Sequence, residues 1–510
     1  MRLVDYLDKG ASLGGDAACL VCDGRTWTYD EVGGLAGRIA SALAGRGVAP
    51  GDKVAILASN DPVAFTCVFG ISRAGAVWCP VNPRNEAAEN RELLDLFECT
   101  TLIFQASYAG LVDQIRGDLP AVTTLVCLDG SFDWALGWDD FLACGMEVVD
   151  RPADDDLAMI VGTGGTTGRP KGVMLTGTNL ETMTALTLIG YPWPAAPGRP
   201  TYLALAPLTH AAGVLCFPVL ASGGSIVVMR TPDVGGFLAA VAEHRVTHTF
   251  LPPTLIYMVL DHPDLDTTDL SSLQCFWYGA APMSARRLEE ALTRVGPVMA
   301  QLFGQTEAPM MISTMAPRDH FRDDGSIAVE RLSSAGRPAP LVTVAMMGDD
   351  GTLLAPGERG EIVVRSSLVM RGYYKNPDAT AEASAYGWHH TGDIGFLDDE
   401  GFLHIVDRAK DMVITGGFNV YSTEVEQALM AHPAVADCAV VGLPDEKWGE
   451  RLTAVLQLRP GRSVTPEEVR AFVKERIGSV KTPKQVEVWD DLPRSRVGKV
   501  LKTEIKQQLT

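Results

Sequence analysis

Short apolar runs alternate with amphipathic stretches along the first half of the chain. Helical spacing of apolar residues predicts a helix over residues 29–47, and an apolar strand follows at 53–59. A second helix is predicted over 63–74, before a second strand and turn that begin at Gly75. Strands that alternate with helices pack as parallel sheets covered by helices, so the pattern predicts a layered α/β architecture. Further strands of this kind are predicted at residues 101–104, 124–128, 202–206, 225–229, 248–251 and 273–278.

The pattern changes after Ser334. Apolar runs at 342–347 and 361–365, with a Gly-Asp-Asp-Gly turn after the first, predict antiparallel hairpins. Residues 437–510 then carry strands at 439–442, 452–458 and 485–489 and a helix at 466–478. This last block is typical of a small α+β domain, joined to the rest near residues 407–411.

Composition and charge narrow the class of protein. The 510 residues are 46% hydrophobic, enough for more than one buried core. A formal net charge of −20 argues against nucleic acid or anionic lipid as the main partner. Residues 470–506 are the exception, with ten Lys or Arg against five Asp or Glu. This basic block suits a small polyanion, although a solvated basic face explains it equally well.

The sequence also bears on location. Charged residues interrupt the N-terminus too often for a signal peptide, and no apolar run reaches the ~18 residues of a membrane span. We therefore expect a cytoplasmic protein without an integral membrane segment. The scattered cysteines are typical of a reduced protein.

Two short motifs are better explained as structure than as chemistry. Cys19 and Cys22 form a C-x-x-C within a predicted hairpin, but no second pair completes a zinc site, so buried structural cysteines are expected. Residues 10–14 match the G-x-S-x-G elbow of hydrolases. No strand precedes them, and this excludes the elbow.

The strongest chemical signal is the loop at residues 163–172, which follows an apolar strand. Its ten residues contain four glycines, three threonines and Lys171. Glycines let backbone N–H groups converge on an anion, while the hydroxyls and the ammonium add donors. The alternative is a flexible surface turn, which this composition disfavours. The loop is not a Walker A motif, because the G-x-x-x-x-G-K-[ST] spacing is missing.

Two later segments carry groups that suit a nucleotide. Residues 278–282 read Tyr-Gly-Ala-Ala-Pro after a strand, and residues 301–307 contain Phe303, Gly304, Thr306 and Glu307. An aromatic ring, a glycine, a hydroxyl and a carboxylate can supply base stacking, close approach, a phosphate contact and a magnesium ligand. Taken alone, this second segment is a weak signal.

Polar residues in the last third complete the set. Asp393 suits ribose hydroxyls and Arg408 suits ribose or phosphate, the alternatives being a turn aspartate and a surface arginine. The adjacent His389 and His390 are interpreted as structural, because neighbouring residues rarely share a metal. Lys499 follows a glycine near the chain end and suits a mobile catalytic cation, although most such lysines are merely solvated.

In this order, the segments resemble those of the adenylate-forming superfamily, which includes acyl-CoA synthetases, peptide-synthetase adenylation domains and luciferase. The resemblance covers nearly the whole chain. It implies a large N-terminal domain (1–408) of layered α/β sheets with a small β-barrel-like part. It also implies a small, mobile α+β C-terminal domain (409–510) that rotates about Lys410.

The resemblance further implies a role for each matching residue. Implied phosphate contacts come from the loop residues Thr163, Gly165, Thr166, Thr167 and Lys171 and from Thr306. Implied adenine contacts come from Gly279, Ala280, Ala281, Phe303 and Gly304, and ribose contacts from Asp393 and Arg408. Glu307 would bind Mg²⁺, Lys499 would bridge the substrate carboxylate and the α-phosphate, and Gly416, Gly417 and Phe418 would serve the second step. Gly164 and Phe303 depart from the usual serine and tyrosine, which removes two hydroxyls.

Within the superfamily, the sequence favours a stand-alone acyl-CoA synthetase that uses ATP, Mg²⁺ and coenzyme A. Residues 207–213 contain no acid to pair an amino-acid ammonium, and no carrier domain follows Lys499. The acyl pocket is predicted near His210, Gly213, Trp277, Met310 and Met311, with room for a bulky or medium-to-long apolar acid. Ordinary core packing is the alternative for the methionines and for His210. Lys481 and Lys484 are candidates for CoA phosphates.

From the sequence alone, two other functions stay possible. The chain could load an acyl group on a carrier protein instead of CoA, or bind ATP without catalysis. The retained Lys499, Glu307 and Asp393 argue against the second reading. Fatty acid metabolism is the expected setting, and a homodimer is one option for the oligomeric state.

Overall fold

The computed structural model describes residues 1–145, 149–151, 155–163, 170–195, 198–209, 211–494 and 500–509. As far as residue 145 the chain forms α1 (Leu3–Leu13), β1 (Ala18–Cys22), β2 (Arg25–Thr28), α2 (Tyr29–Gly45), β3 (Lys53–Leu57), α3 (Pro62–Arg73), β4 (Val77–Val81), α4 (Ala87–Leu96), β5 (Cys99–Phe104), α5 (Ala109–Ile115), β6 (Thr124–Cys127), β7 (Leu136–Gly137) and α6 (Trp138–Leu142).

The middle of the chain continues the alternation. It forms β8 (Leu157–Thr163), β9 (Lys171–Thr176), α7 (Gly177–Gly190), β10 (Thr201–Ala204), α8 (Ala211–Val214), α9 (Cys216–Ala221), β11 (Ser225–Val228), α10 (Val234–Glu243), β12 (His248–Leu251), α11 (Pro253–Leu260), β13 (Cys275–Gly279), α12 (Ala285–Arg294), β14 (Met299–Gln305), β15 (Ala308–Met315) and β16 (Arg337–Pro338).

The last third forms smaller units. Its elements are β17 (Thr343–Met347), β18 (Gly360–Arg365), β19 (Gly372–Tyr373), α13 (Pro377–Ala383), β20 (His389–Leu397), β21 (Leu403–Arg408), β22 (Val413–Thr415), β23 (Phe418–Val420), α14 (Ser422–Met430), β24 (Val435–Asp445), β25 (Gly449–Leu458), α15 (Pro466–Ile477), β26 (Gln485–Trp489) and α16 (Lys502–Leu509).

Two large sheets form the body of the fold. One has the strand order β19-β9-β8-β4-β3-β5-β6-β7, and the other β16-β15-β14-β13-β12-β10-β11-β1-β2. Pairing is parallel from β3 to β6 and from β10 to β14, as predicted, but β8 with β9 and β14 with β15 pair antiparallel. The layered α/β architecture is confirmed, with mixed rather than purely parallel sheets.

The main hydrophobic core lies between these sheets. It combines buried residues of both with those of α1, α2, α3, α7 and α9. Local signals place the covering helices: Thr28 caps α2 by accepting a hydrogen bond from Glu31 N, and Glu31 bonds back to Thr28 N at 2.8 Å. Asp61 caps α3 and Pro62 occupies its first turn.

The hairpins predicted after Ser334 are confirmed. Strands β17, β18, β20 and β21 form a four-stranded antiparallel sheet, the part that the resemblance describes as barrel-like. Strands β22 to β26 form a separate sheet whose hydrophobic cores include Val425, Leu429 and Ile505 from α14 and α16. The small α+β unit is thus present, while a domain boundary after residue 408 stays a prediction.

The structural explanations of the two short motifs are also confirmed. Cys19 and Cys22 are buried on β1, in a hairpin with β2, and all ten cysteines are free. The hydrolase-like motif at residues 10–14 begins inside α1, with no strand before it. Across the described ranges, no helix is long and apolar enough to cross a bilayer.

Candidate active site

The candidate site lies at the carboxyl ends of the parallel strands β12 to β14, where ligands of open α/β sheets commonly bind. Gly279 ends β13, and a Cβ there would come within 2.4 Å of the carbonyl oxygen of Leu302 on β14. Ala280 follows with a φ of +65°, a left-handed conformation that turns the chain sharply. The predicted adenine segment is therefore a tight turn fixed against its neighbouring strand.

A second tight turn presents Thr306 and Glu307. Gln305 and Ala308 are paired across β14 and β15, so these two residues form the tip of the hairpin. Gly304 makes the hairpin possible, because a Cβ at this position would lie 2.3 Å from the backbone nitrogen of Met310. Met310 itself has a φ of +65°. The close backbone approach at Gly304 thus fixes the turn that carries Thr306, the predicted phosphate contact, and Glu307, the predicted magnesium ligand.

Glu307 is connected to Lys171 through a residue that was not predicted, Tyr373. The Tyr373 hydroxyl donates a hydrogen bond to Glu307 Oε1 at 2.8 Å, and Lys171 Nζ lies 4.7 Å from the centroid of the Tyr373 ring. Burial and the Glu307 carboxylate raise the pKa of Tyr373, so its hydroxyl stays a donor. Tyr373 therefore contacts both the Lys171 ammonium and the Glu307 carboxylate.

The phosphate loop is anchored at both ends. Thr163 and Lys171 are paired as the last residue of β8 and the first of β9, and Thr163 Oγ1 donates to Lys171 O at 3.4 Å. Gly164, Gly165, Thr166 and Thr167 lie outside the described residues. The predicted loop therefore ends at Lys171, beside the Tyr373 ring.

The predicted ribose residues form a buried network with Gln305. Asp393 is 4% exposed, and its Oδ1 lies 2.9 Å from Arg408 Nε on the neighbouring strand. Gln305 Nε2 donates to Asp393 Oδ2 at 2.8 Å and to Thr391 O at 2.7 Å. Gln305 links this network directly to the Thr306–Glu307 turn. Gln305 lies within the predicted segment 301–307, but the sequence did not predict a role for this residue.

The residues after Arg408 lead into the small α+β unit. Lys410 lies in a short turn between β21 and β22, and burial lowers the pKa of its ammonium. Lys499 lies outside the described residues, but both flanks of its segment are fixed. Arg494 and Val500 form a β-bridge, and Arg494 bonds Asp437 Oδ2 at 2.6 Å.

The other candidate residues of the small unit make contacts within that unit. The β22–β23 hairpin with Gly416 and Gly417 has its own contacts: Gly416 N donates to Trp448 O at 2.8 Å, and Phe418 is 58% exposed. Lys481 bonds Glu424, and Lys484 Nζ lies 5.4 Å from the Trp448 ring centroid.

The predicted acyl-pocket residues are mostly enclosed. Trp277 and Met311 have no exposed surface, and Met310 is 9% exposed. The Trp277 ring packs against Tyr191 and His248 at centroid distances of 5.7 and 5.1 Å. His210 lies outside the described residues. Trp277 and Met311 thus belong to the core in this structure, and a part for them in an acyl pocket stays a prediction.

The segment around Gly213 depends on another residue that was not predicted. A Cβ on Gly213 would come within 1.9 Å of Leu208 O, so only glycine allows this approach. The buried Asn60 accepts from Leu208 N at 2.8 Å and donates to Ala206 O at 3.1 Å and Met229 O at 3.1 Å. Such bonds connect distant parts of the chain, and no local sequence pattern reveals them.

The donor set fits a magnesium nucleotide. No cluster of three or more His, Cys, Asp or Glu suited to a metal occurs within the described ranges. Mg²⁺ bound with substrate phosphates needs only one or two carboxylates, and Glu307 offers one beside Lys171. His390 is structural as predicted, since its ring bonds Glu361 Oε2 at 2.8 Å and Ala385 O at 3.1 Å.

Comparison with known proteins agrees with this geometry. The model of the AMP-binding enzyme family matches residues 7–374, and that of the AMP-binding enzyme C-terminal domain matches residues 424–499. The chain belongs to the AMP-binding enzyme family. It is thereby a member of the adenylate-forming superfamily, as its motifs indicate.

Individual relatives of this family member span nearly the whole chain. A medium/long-chain-fatty-acid–CoA ligase of Mycobacterium tuberculosis is 38% identical over 92% of this chain and 83% of its own length. A feruloyl-CoA synthase of Amycolatopsis is 38% identical over 95% of this chain and 94% of its own. The solved amide bond synthetase of Marinactinospora thermotolerans has a TM-score of 0.91 at 30% identity, covering 100% of both chains.

Proposed function

We propose that this AMP-binding enzyme is an acid–thiol ligase, which joins a carboxylic acid to coenzyme A through an acyl-adenylate. The observation that carries the proposal is that two pairs of charged residues are connected through the hairpin turn of β14 and β15. Lys171 and Glu307 meet at Tyr373, and Asp393 meets Arg408. Gln305 joins the second pair to the turn that bears Glu307.

Each pair suits one part of ATP. Asp393 accepts hydrogen bonds from the ribose hydroxyls, with Arg408 beside it, and the Gly279–Ala281 turn and Phe303 border the adenine. Lys171, Thr306 and the loop residues Thr163, Gly165, Thr166 and Thr167 donate to the phosphates. Mg²⁺ held by Glu307 would neutralise phosphate charge when bound.

The chemistry proceeds in two substitutions. A carboxylate oxygen of the acid forms a bond to the α-phosphorus as the bond to pyrophosphate breaks, which gives a mixed anhydride with AMP. The thiol sulfur of coenzyme A then bonds to the acyl carbon, AMP leaves and the thiol proton is released. Because negative groups meet in the first step, fixed cations lower its barrier.

The small unit supplies the residues that change between the two steps. We propose a boundary after residue 408 and rotation about Lys410. In the first step Lys499 bridges the substrate carboxylate and the α-phosphate. In the second the hairpin with Gly416, Gly417 and Phe418 replaces it.

The acid is proposed to be apolar. Residues 207–213, where a carboxylate would pair the ammonium of an amino acid, contain no Asp or Glu. A medium-to-long fatty acid or a bulky aromatic acid fits the hydrophobic surroundings of Gly213 and Met310, and the two curated relatives are named for such acids.

The proposal is tested by AMP release from ATP and Mg²⁺ with octanoate, dodecanoate, palmitate, ferulate or phenylalanine, with and without CoA. Acid-dependent AMP release and a CoA thioester are expected with a fatty or aromatic acid, and no reaction with phenylalanine. Absence of AMP release with every acid would contradict the enzyme activity.

An amine acceptor is a second candidate, favoured by the likeness to the amide bond synthetase over the whole chain. Benzylamine in place of CoA tests it. An amide product without any CoA thioester would establish the amine acceptor. AMP release without either product would favour transfer to a carrier protein.

A further inference from the structure

A buried set of hydrogen bonds crosses the junction between the four-stranded sheet and the small unit. Asp407, the next-to-last residue of β21, is 3% exposed. Its carboxylate accepts from the backbone nitrogen of Ser422 and from the Ser422 hydroxyl, which lies 2.9 and 2.8 Å from the two oxygens. The Thr423 hydroxyl adds a bond of 3.2 Å. Strand β21 is thereby connected to the first turn of α14.

Lys502 extends this set from the other side. Its Nζ donates to Ser422 Oγ at 2.6 Å and lies 2.8 Å from Glu426 Oε1. Burial lowers the pKa of Lys502, but the carboxylates of Glu426 and Asp407 more than offset this and leave it raised. The side chain therefore remains an ammonium.

Ser422 can serve both neighbours at once. A serine hydroxyl has one hydrogen to donate and lone pairs that accept, so it donates to Asp407 and accepts from Lys502. Glu426 is fixed separately by Val440 N at 2.8 Å. The ammonium thus reaches the Asp407 carboxylate through a single hydroxyl.

The hydrogen-bonded path from Lys502 through Ser422 to Asp407 has both ends close in sequence to residues of the proposed reaction. Lys502 begins α16, three residues after Lys499, and Leu501 N donates to Pro493 O at 2.8 Å across the base of that segment. At the other end, Asp407 directly precedes Arg408, the partner of Asp393. The path therefore connects the start of α16 with the strand that carries Arg408.

We propose that Lys502 is a positioning residue for adenylate formation, which acts through Ser422 and Asp407 to hold the start of α16, and with it the small unit, against β21. This inference rests on the proposed function. In the proposed thioester step the small unit has rotated and Lys499 is withdrawn, so this connection to β21 matters less. Loss of the path should therefore slow the first half-reaction selectively.

The half-reactions of the Lys502→Met variant test this directly, in the full-length protein. ATP–pyrophosphate exchange is measured with dodecanoate or ferulate, whichever the wild type accepts, and thioester formation is measured from synthetic dodecanoyl-AMP or feruloyl-AMP. We expect exchange to fall by about tenfold or more, while thioester formation changes by no more than about twofold.

Three further variants separate positioning from general stability. Ser422→Ala breaks the path but leaves the Lys502–Glu426 ion pair, and should show the same selective loss. Lys502→Arg keeps the charge and should recover most of the exchange. Lys474→Met, the same substitution on an exposed lysine of α15, should leave both half-reactions unchanged.

Equal loss of both half-reactions, or unchanged exchange in Lys502→Met, would overturn the inference. If that variant does not fold, Ser422→Ala decides on the same criteria. Lys499→Ala is measured in parallel. Wild-type protein without exchange on any acid would contradict the proposed function itself. A selective loss in Lys499→Ala without one in the path variants would contradict only the role of Lys502.

Discussion

Two neutral side chains hold charged residues of the candidate nucleotide site in place. The first is Tyr373. Tyr373→Phe removes the hydroxyl that donates to Glu307 and keeps the ring beside Lys171. A hydrogen bond to a carboxylate contributes about 1.5–3 kcal/mol, so kcat/KM for ATP should fall by roughly tenfold or more in pyrophosphate exchange.

The neighbouring Tyr374 provides a matched control. Its hydroxyl bonds Glu98 at 3.3 Å on the surface, away from Glu307. Tyr374→Phe should leave the exchange kinetics unchanged. Equal losses in the two variants would show that the Tyr373 hydroxyl has no special part in holding Glu307.

Gln305 is the second neutral holder. Gln305→Met keeps the length of the side chain but removes the donor to Asp393 Oδ2 and Thr391 O. The KM for ATP should rise by about tenfold, because Asp393 loses a bond that fixes its carboxylate. The exposed Gln114 on α5 is the control, since Gln114→Met should change nothing. An effect of Gln305→Met on the KM for the acid alone would contradict this role.

The sequence predicts charged site residues better than the residues that hold them. Glu307, Asp393 and Arg408 lie in short local motifs, and the structure brings the last two together. Tyr373 meets Glu307 across 66 residues, and no pattern near either one indicates the contact. Asn60 similarly organises a segment 148 residues away.

At the scale of elements, the hairpin of β14 and β15 carries the site. Gly304→Ala would place a Cβ 2.3 Å from the backbone nitrogen of Met310, which cannot move aside as a side chain would. The free energy of unfolding should fall by about 2 kcal/mol or more in chemical denaturation. Exchange activity should fall with it, because the same backbone sets the turn of Thr306 and Glu307.

A second glycine separates this steric effect from the general effect of alanine. Gly37 lies within α2, and a Cβ there meets nothing within 4 Å. Gly37→Ala should be stabilising by about 0.5–1 kcal/mol, because alanine loses less conformational freedom in a helix. Destabilisation of similar size in both variants would contradict the steric explanation.

Most of the elements for which a range was predicted lie within one or two residues of that range, because apolar periodicity and capping residues are local. The helix predicted at 466–478 is Pro466–Ile477, and the strand at 485–489 is Gln485–Trp489. Strand β24 is longer than predicted, Val435–Asp445, because it is paired with β25 from one end to the other. The antiparallel pairing of β14 with β15 depends on the geometry of the turn between them rather than on apolar period.

At the scale of the whole molecule, buried neutral histidines make stability depend on pH. Burial lowers the pKa of His248 and of His320 from 6.5 to about 4. The unfolded chain therefore binds protons between pH 6.5 and about 4 that the folded chain does not. Stability falls as the pH drops through this window, by on the order of 3 kcal/mol for each histidine.

His320→Gln tests the second of these contributions. The glutamine amide can still reach the Tyr278 hydroxyl, which lies 2.9 Å from His320 Nε2, but it does not titrate. In urea denaturation between pH 4 and 6.5, the free energy of unfolding of the variant should depend less steeply on pH. The difference in slope should correspond to about one bound proton. The variant His262→Gln is the surface control, and equal changes in both variants would contradict the assignment.

The proposed function requires that a carboxylate oxygen of the acid attack the α-phosphorus of ATP. The most direct test follows oxygen from dodecanoate or ferulate labelled with ¹⁸O in both carboxylate positions, with ATP, Mg²⁺ and CoA. Mass spectrometry should find one ¹⁸O atom in the AMP and the other in the acyl-CoA. Unlabelled AMP, or label in phosphate accompanied by ADP, would contradict the formation of an acyl-adenylate.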